Sequence, residues 1–223
     1  MTKNKTWKRV AAGVLSLALV AGMMPANVGG FLTGGTGIVA SAEPAAPESD
    51  ADWKEVDSLD ALKSYMGVGY SEAYVRLTAD ISTDASDESK VNVSGNKTLD
   101  LNGHTITFNH NYSRFETSSR QTFILTDNST SGSGSVVNAK NIYAVANVNG
   151  TFILEGGTVD SIAANGLNGG VPTTIIKGGT VSTAINPHGF IMGNLTISDG
   201  TVNSEVNCYN GTVERAGHRN QPG

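Results

Sequence analysis

The sequence predicts an all-β protein, a solenoid of about five to six short rungs with one helix in front of it. Two observations carry this prediction. The segments FILEGGTV (152–159), TIIKGGTV (174–181) and LTISDGTV (195–202) are copies of one unit, with a glycine turn after each apolar strand. The composition is rich in Gly, Asn, Thr and Ser and poor in aromatic residues, which suits many short strands joined by tight turns.

Residues 1–42 are predicted to be a signal peptide. Four basic residues precede the apolar run AAGVLSLALVAGMM (11–24), which is short for a membrane span. The small-residue triplet 40–42 before Glu43 fits a cleavage site, although it lies farther from the apolar run than is typical, so an uncleaved anchor is the alternative. The chain has no second apolar run. We therefore expect a secreted or cell-surface protein with no membrane span after cleavage.

The net charge of the chain argues against two classes of binding partner, and its cysteine content excludes an internal disulfide. Removal of residues 1–42 takes away four positive charges and no negative ones, which lowers the net charge from −5 to −9. An acidic chain is a poor ligand for nucleic acid or for anionic lipid, so neither partner is expected. Cys208 is the single cysteine, which excludes an internal disulfide.

A linker and a helix are predicted between the signal peptide and the repeats. Residues 43–52, EPAAPESDAD, have the composition of a solvated linker. In residues 53–69 an amphipathic helix of about three turns is predicted: Ser58 is a candidate N-cap, the last two glycines stop the helix, and four apolar residues recur at helical spacing. These are Leu59, Leu62, Tyr65 and Met66. We expect this segment to cap the first rung.

The repeat extends through residues 70–215. The last apolar residue before each glycine turn is Leu154, Ile176 and Ile197, at intervals of 22 and 21 residues. KTLDLNGHTITF (97–108) fits the same grid with Leu101 as its anchor. Its Asn-Gly is therefore predicted to be a rung corner and not a β-hairpin turn. Leu101, Leu125, Leu154, Ile176 and Ile197 should form one interior stack, with Phe152 and Leu195 beside it.

Two solenoid types have repeats of this length. A leucine-rich repeat requires several leucines and a buried asparagine at fixed offsets, which these units lack. A parallel β-helix needs about three short strands and three turns per rung, which occupies 20 or more residues. The parallel β-helix is therefore preferred.

The segments VRLTADI, KTLDLNGHTITF and the GGTV series resemble the right-handed parallel β-helix proteins of the pectate-lyase-like superfamily. The similarity is to versions found as modules in secreted and surface proteins of Gram-positive bacteria, and it spans residues 53–215. This resemblance implies a right-handed solenoid with an N-terminal cap. The superfamily includes polysaccharide lyases, glycoside hydrolases and non-catalytic adhesins, so the fold leaves the function open.

No catalytic residue is assigned. A hydrolase of this kind needs two or three carboxylates some 5–10 Å apart along a groove. The central candidates, Glu155, Asp160 and Asp199, fall on different rows of the predicted register. Glu155 stacks instead with Lys177, as a surface ion pair, and Asp160 with Ser182.

Two loop segments contain candidate ligand-binding residues. The segment NYSRFETSSRQ (111–121) combines aromatic and basic residues, and we expect glycan contacts from Tyr112, Arg114, Phe115 and Arg120. The densest acidic group is Asp80, Asp84, Asp87 and Glu88. These residues offer hard oxygen ligands for calcium, although a solvated turn is the preferred interpretation. No other cofactor is expected.

The repeat fades after residue 215, and residues 216–223 are predicted to be a disordered or truncated tail. We expect a C-terminal remainder in a longer chain, because solenoid ends need caps. The leading hypothesis is a non-catalytic secreted or surface module, adhesin-like or a spacer, with weak binding to a polysaccharide or to a host or cell-wall glycan. The alternative is a polysaccharide lyase or glycoside hydrolase, or a truncated relative of one.

Overall fold

The computed structural model describes residues 53–69, 74–118, 120–140, 143–167, 169–185, 193–203, 206 and 212–215. The predicted signal peptide, the 43–52 linker, Cys208 and the 216–223 tail lie outside these residues. Helix α1 spans Leu59–Met66. The strands in chain order are β1 (Lys54–Val56), β2 (Tyr74–Leu77), β3 (Ile81–Ser82), β4 (Lys90–Val93), β5 (Asn96–Asp100), β6 (Thr105–Phe108), β7 (Arg114–Thr117), β8 (Thr122–Thr126), β9 (Ser135–Asn138), β10 (Val145–Val148), β11 (Thr151–Leu154), β12 (Thr158–Asn165), β13 (Thr173–Ile176), β14 (Thr180–Ile185), β15 (Asn194–Ile197), β16 (Thr201–Val202) and β17 (Val213–Arg215).

The strands build a parallel β-helix. One sheet has the order β1-β2-β5-β8-β11-β13-β15-β17, and the other contains β3, β4, β6, β7, β9, β10 and β12, with β14 and β16 attached. Strands that follow one another within a rung, such as β5, β6 and β7, do not pair with each other, and each pairs in parallel with the equivalent strand of the next rung. The predicted all-β solenoid is confirmed.

The second sheet bends into two faces, and β12 is where they meet. Its first residues, Thr158 and Val159, pair with β9, whereas its last four residues pair with β10. A register shift between Val159 and Ser161 marks the bend. β3, β6 and β9 therefore form one face and β4, β7 and β10 another, so each complete rung has three sides.

The Asn-Gly of KTLDLNGHTITF is a rung corner, as predicted. Asn102 and Gly103 have φ angles of 48° and 82°, in the left-handed region that glycine and asparagine tolerate best. β5, before the corner, pairs with β2 and β8; β6, after it, pairs with β3 and β9. Because the two strands do not pair with each other, the turn is not a hairpin.

One interior row is predicted correctly except at its beginning. Leu125, Leu154, Ile176 and Ile197 lie in register on successive rungs and are buried. The prediction that Leu101 joins them is wrong, because Leu99 is the partner of Leu125. Leu101 is also buried, but it lies just after β5 at the corner. It is two residues beyond Leu99, which occupies the place in the row.

A second interior row contains Phe123, Phe152, Thr174 and Leu195, which confirms the predicted neighbours Phe152 and Leu195. The rings of Phe123 and Phe152 have centroids 5.4 Å apart, a distance typical of favourable aromatic pairs. At the N-terminal side the same row continues with Lys97, which is only 2% exposed.

Helix α1 covers the first rung, as the capping prediction requires. It has two turns and not three, and its buried side chains Leu62 and Met66 belong to the same hydrophobic core as the strands. The amide of Ser94 donates to the Met66 carbonyl at 2.8 Å, which joins the helix end to the turn after β4. Within the described ranges no helix is long and apolar enough to cross a membrane.

Candidate functional site

The loop between β6 and β7 presents the aromatic and basic residues singled out in the sequence. β7 begins at Arg114, and side chains alternate along a strand. Arg114 and Glu116 therefore point outward, whereas Phe115 and Thr117 point into the core and are fully buried. Tyr112, in the loop just before the strand, is 55% exposed.

These residues form a cluster that we call the Arg114 patch: Tyr112, Arg114, Glu116 and Tyr143. Nη1 of Arg114 donates to the Tyr112 carbonyl at 2.7 Å, and Nη2 donates to Oε2 of Glu116 at 2.6 Å. The guanidinium carbon lies 5.4 Å from the centroid of the Tyr143 ring, within the range of a cation–π contact. The ring of Tyr112 packs beside His110, with centroids 5.7 Å apart.

The neighbouring strand extends the patch without adding net charge. Lys90 and Asn92 of β4 lie in register with Arg114 and Glu116. Nζ of Lys90 is 3.0 Å from Oε1 of Glu88, so both cations of this surface are matched by carboxylates. The side chains of Arg114 and Glu116 are 12% and 24% exposed, which leaves the carboxylate as the more accessible of the two groups.

The structure brings together two of the four predicted ligand residues, Tyr112 and Arg114. Phe115 packs in the core against Phe108 and Phe123, with ring centroids 5.5 and 5.0 Å away, and so it has no surface to offer a ligand. Arg120 is exposed in the turn after β7, at the other end of the strand from Arg114. We therefore leave Phe115 and Arg120 out of the patch.

The predicted acidic group is engaged with local partners. Asp80 accepts the Thr105 amide at 2.8 Å and lies 3.3 Å from Nδ1 of His104; these contacts, the Thr105 amide first, lower its pKa. The amide and hydroxyl of Ser86 donate to Asp84 at 2.8 Å and lower the pKa of that carboxyl. Glu88 pairs with Lys90.

This arrangement gives the calcium prediction no support. Across the described ranges, no three His, Cys, Asp or Glu side chains come together in a way that could hold a metal ion. The side-chain oxygen of Asp84 accepts hydrogen bonds within its own turn, as is common in solvated loops, whereas Asp80 accepts a hydrogen bond from Thr105 on the next rung. Calcium binding by Asp80, Asp84, Asp87 and Glu88 stays a prediction.

The carboxylates of the central rungs also have protein partners. Glu155 lies 3.6 Å from Nζ of Lys177, both side chains being about one third exposed, which confirms the predicted surface ion pair. Asp160 accepts a hydrogen bond from the Thr183 hydroxyl. At the position where Asp160 is predicted to stack on Ser182, two residues of β14, Ser182 and Thr183, lie opposite Asp160, because β14 has a bulge there.

A row of hydroxyl groups follows the solenoid on the β6–β9 face. One outward-facing residue of each of five successive rungs contributes to it: Thr105, Ser135, Thr158, Thr180 and Thr201. The residues that alternate with them, such as Ile106 and Val136, are buried. This face is polar, with neutral side chains along the row.

Two members of the Arg114 patch, Glu116 and Tyr143, are not among the four ligand residues predicted from the sequence. The position of Glu116 beside Arg114 could have been predicted, because the alternation in RFET places residues 114 and 116 on one side of a strand. Tyr143 is separated from Arg114 by 29 positions and reaches it only through the stacking of rungs, which no local pattern in the sequence indicates.

No family model, no curated protein and no solved structure matches this chain.

Proposed function

We propose that the protein is a non-catalytic secreted or cell-surface β-helix module, adhesin-like or a spacer, that binds glycans weakly through the Arg114 patch. The observation that carries this proposal is that Tyr112 is exposed and that its carbonyl accepts a hydrogen bond from Arg114, which also forms an ion pair with Glu116. A flat aromatic ring suits the apolar face of a sugar, and the ion pair supplies a donor and an acceptor for its hydroxyl groups.

The modest size of the surface supports weak binding. Arg114 contacts the carbonyl of Tyr112 and the ring of Tyr143, and the charged groups around it, Lys90 and Glu116, are already paired. Such a site would contribute a few contacts per module. Weak contacts become useful when several modules bind together, since multivalent attachment multiplies affinity.

A second observation favours a module over an enzyme. The outward row of the β6–β9 face consists of threonine and serine, and the carboxylates Glu155 and Asp160 are each engaged by a neighbouring side chain. A hydrolase needs one free carboxylic acid and one free carboxylate facing the same sugar. The runner-up function, a polysaccharide lyase or glycoside hydrolase, has less support.

The proposed location outside the cell rests on the sequence of residues 1–42, with its basic start, apolar run and small-residue triplet.

One experiment tests binding and catalysis together. The protein is applied to an array of glucan, xylan, mannan and chitin oligosaccharides, and the corresponding polymers are incubated with it and assayed for new reducing or unsaturated ends. We expect binding without cleavage. Release of unsaturated or reducing ends would contradict the non-catalytic proposal and favour the lyase or hydrolase.

A further inference from the structure

We infer that the Arg114 patch selects neutral glycans with vicinal hydroxyl groups and discriminates against uronic acid polymers. This inference rests on the proposed function and names the class of glycan that the same site takes. It concerns a single property of the patch: its guanidinium already has a carboxylate partner.

Recognition of a uronate carboxylate by arginine is normally a two-pronged interaction, in which two N–H groups of one edge donate to the two carboxylate oxygens. Arg114 does not offer that geometry. Nη2 donates to Glu116 and Nη1 donates to the Tyr112 carbonyl. Nε is fully buried and has no hydrogen-bond partner, so it is out of reach of a ligand.

The acceptor side of the pair is the more accessible one. Glu116 uses Oε2 for Arg114 and is 24% exposed, twice the fraction of the arginine. The negative charge of an approaching uronate would therefore meet the Glu116 carboxylate first. Like charges at contact distance repel even when solvent screens them.

A neutral sugar fits the same groups. One hydroxyl donates to the free Oε1 of Glu116, and the adjacent hydroxyl accepts from a remaining N–H of the guanidinium. Asn92, exposed and in register beside Glu116, offers a further neutral donor and acceptor. The exposed ring of Tyr112, two residues before Arg114, offers an apolar surface to the face of the sugar.

The second cation nearby does not change this balance. Lys90 lies in register with Arg114, and Glu88 holds it at 3.0 Å. Two cations and two carboxylates thus share this surface. The net electrostatic attraction of this surface for an anionic ligand is therefore weak.

The test uses matched pairs of ligands that differ only in charge. Binding of the full chain is measured by calorimetry with a β-1,4-glucan hexasaccharide and with the β-1,4-glucuronan hexasaccharide, in which a carboxylate replaces each primary alcohol. Oligogalacturonate and its methyl ester provide a second pair. We expect the neutral member of a pair to bind at least about fivefold more tightly.

Glu116→Gln tests the cause of the preference. The substitution keeps the shape of the side chain and removes its negative charge, so the surface no longer repels an approaching anion and the charge of Arg114 is no longer neutralised. We expect the preference for the neutral ligand to fall by about fivefold or to reverse. Glu155→Gln is the matched control, since it removes a carboxylate paired with Lys177 away from the patch, and it should leave the preference unchanged.

The outcomes separate the two proposals. If the wild type binds the uronates as tightly as the neutral ligands, the inference is overturned while glycan binding stands. Equal effects of the Glu116 and Glu155 substitutions would also overturn it. If neither member of any pair binds, and the variants retain the wild-type melting temperature, the proposed function itself fails.

Discussion

Nη2 of Arg114 and Oε2 of Glu116 lie 2.6 Å apart across one intervening residue, Phe115, whose ring is buried in the core. The alternation of strand β7 produces this arrangement, because residues two apart point to the same side. The buried phenylalanine fixes the strand, and the strand fixes the ion pair. A surface feature is thus held by the packing of the solenoid interior.

Replacement of Tyr112 by alanine should weaken glycan binding without affecting the fold. The ring is more than half exposed, so its removal costs little core packing. Aromatic packing is worth about 1 kcal/mol, which corresponds to roughly a fivefold loss of affinity. Calorimetry with a neutral oligosaccharide and thermal unfolding measure the two quantities. A large drop in the melting temperature with unchanged affinity would identify Tyr112 as a structural residue.

Leu154→Asp should prevent folding. Leu154 is fully buried and lies between Leu125 and Ile176 in the interior row, so an aspartate there would bury an unpaired charge. Leu154→Ala should destabilise the protein by about 2–5 kcal/mol. Circular dichroism and urea unfolding report both effects. The adjacent exposed residue gives the control: Glu155→Ala should change stability by less than about 0.5 kcal/mol. A folded, soluble Leu154→Asp protein would show that the register is wrong.

Gly179→Ala should be more destabilising than Gly132→Ala. Both glycines have positive φ angles, 68° and 60°. At Gly179 a new Cβ would lie 2.5 Å from the carbonyl oxygen of Gly157 on the preceding rung, whereas at Gly132 it would meet nothing within 4 Å. Strain of about 1 kcal/mol is common to both, and the steric clash is added only at Gly179. Equal unfolding free energies of the two variants would argue against close stacking of the rungs at this corner.

Asp127 should make stability depend on pH in the acid range. Burial acts to raise the pKa of this carboxyl, but hydrogen bonds from Ser129, Gly134 and Gly103 outweigh it and hold the pKa below its ordinary value of 3.8. A lowered pKa in the folded state means that the stabilisation is present above that ordinary value and is lost as the pH falls through the folded pKa.

Urea unfolding between pH 7 and pH 2 tests this linkage against the Asp127→Asn variant. The wild type should be the more stable protein at pH 7, and the difference between the two should shrink as the solution becomes acidic. Through Asp127 these hydrogen bonds join the loop of residues 127–134 to the corner at Gly103, at 2.8 Å for the Gly103 amide and 2.6 Å for the Gly134 amide. A constant difference across the whole range would exclude Asp127 as the titrating group.

The repeat could be predicted from the sequence because each rung repeats the same local chemistry. An apolar strand residue and a glycine turn recur at intervals of 21 and 22 residues, and the intervals locate Leu154, Ile176 and Ile197 correctly in one row. The same rule fails at Leu101. There the corner is longer, because six positions separate Leu99 from Thr105 but four separate Leu154 from Thr158. Nothing in KTLDLNGHT distinguishes Leu99 from Leu101 as the partner of Leu125.

The candidate site was harder to predict because it is assembled across rungs. Tyr112 and Arg114 are neighbours in sequence, and their proximity could be anticipated. Phe115 belongs to the same loop segment by sequence, yet strand alternation turns it inward. The contact of Asp160 with Thr183 depends on a bulge in β14, and Lys97 occupies an interior position that a polarity pattern assigns to the surface.

The central claim, glycan binding at the Arg114 patch, is tested most directly by mapping the bound surface. Backbone amide chemical shifts of the protein are recorded by NMR during titration with a β-1,4-glucan hexasaccharide and with the neutral oligosaccharides that bind in the array. The account predicts shifts concentrated in residues 110–116, at Asn92 and at Tyr143. Shifts confined to the rungs around Glu155 and Asp160, with none at Tyr112 or Arg114, would contradict it.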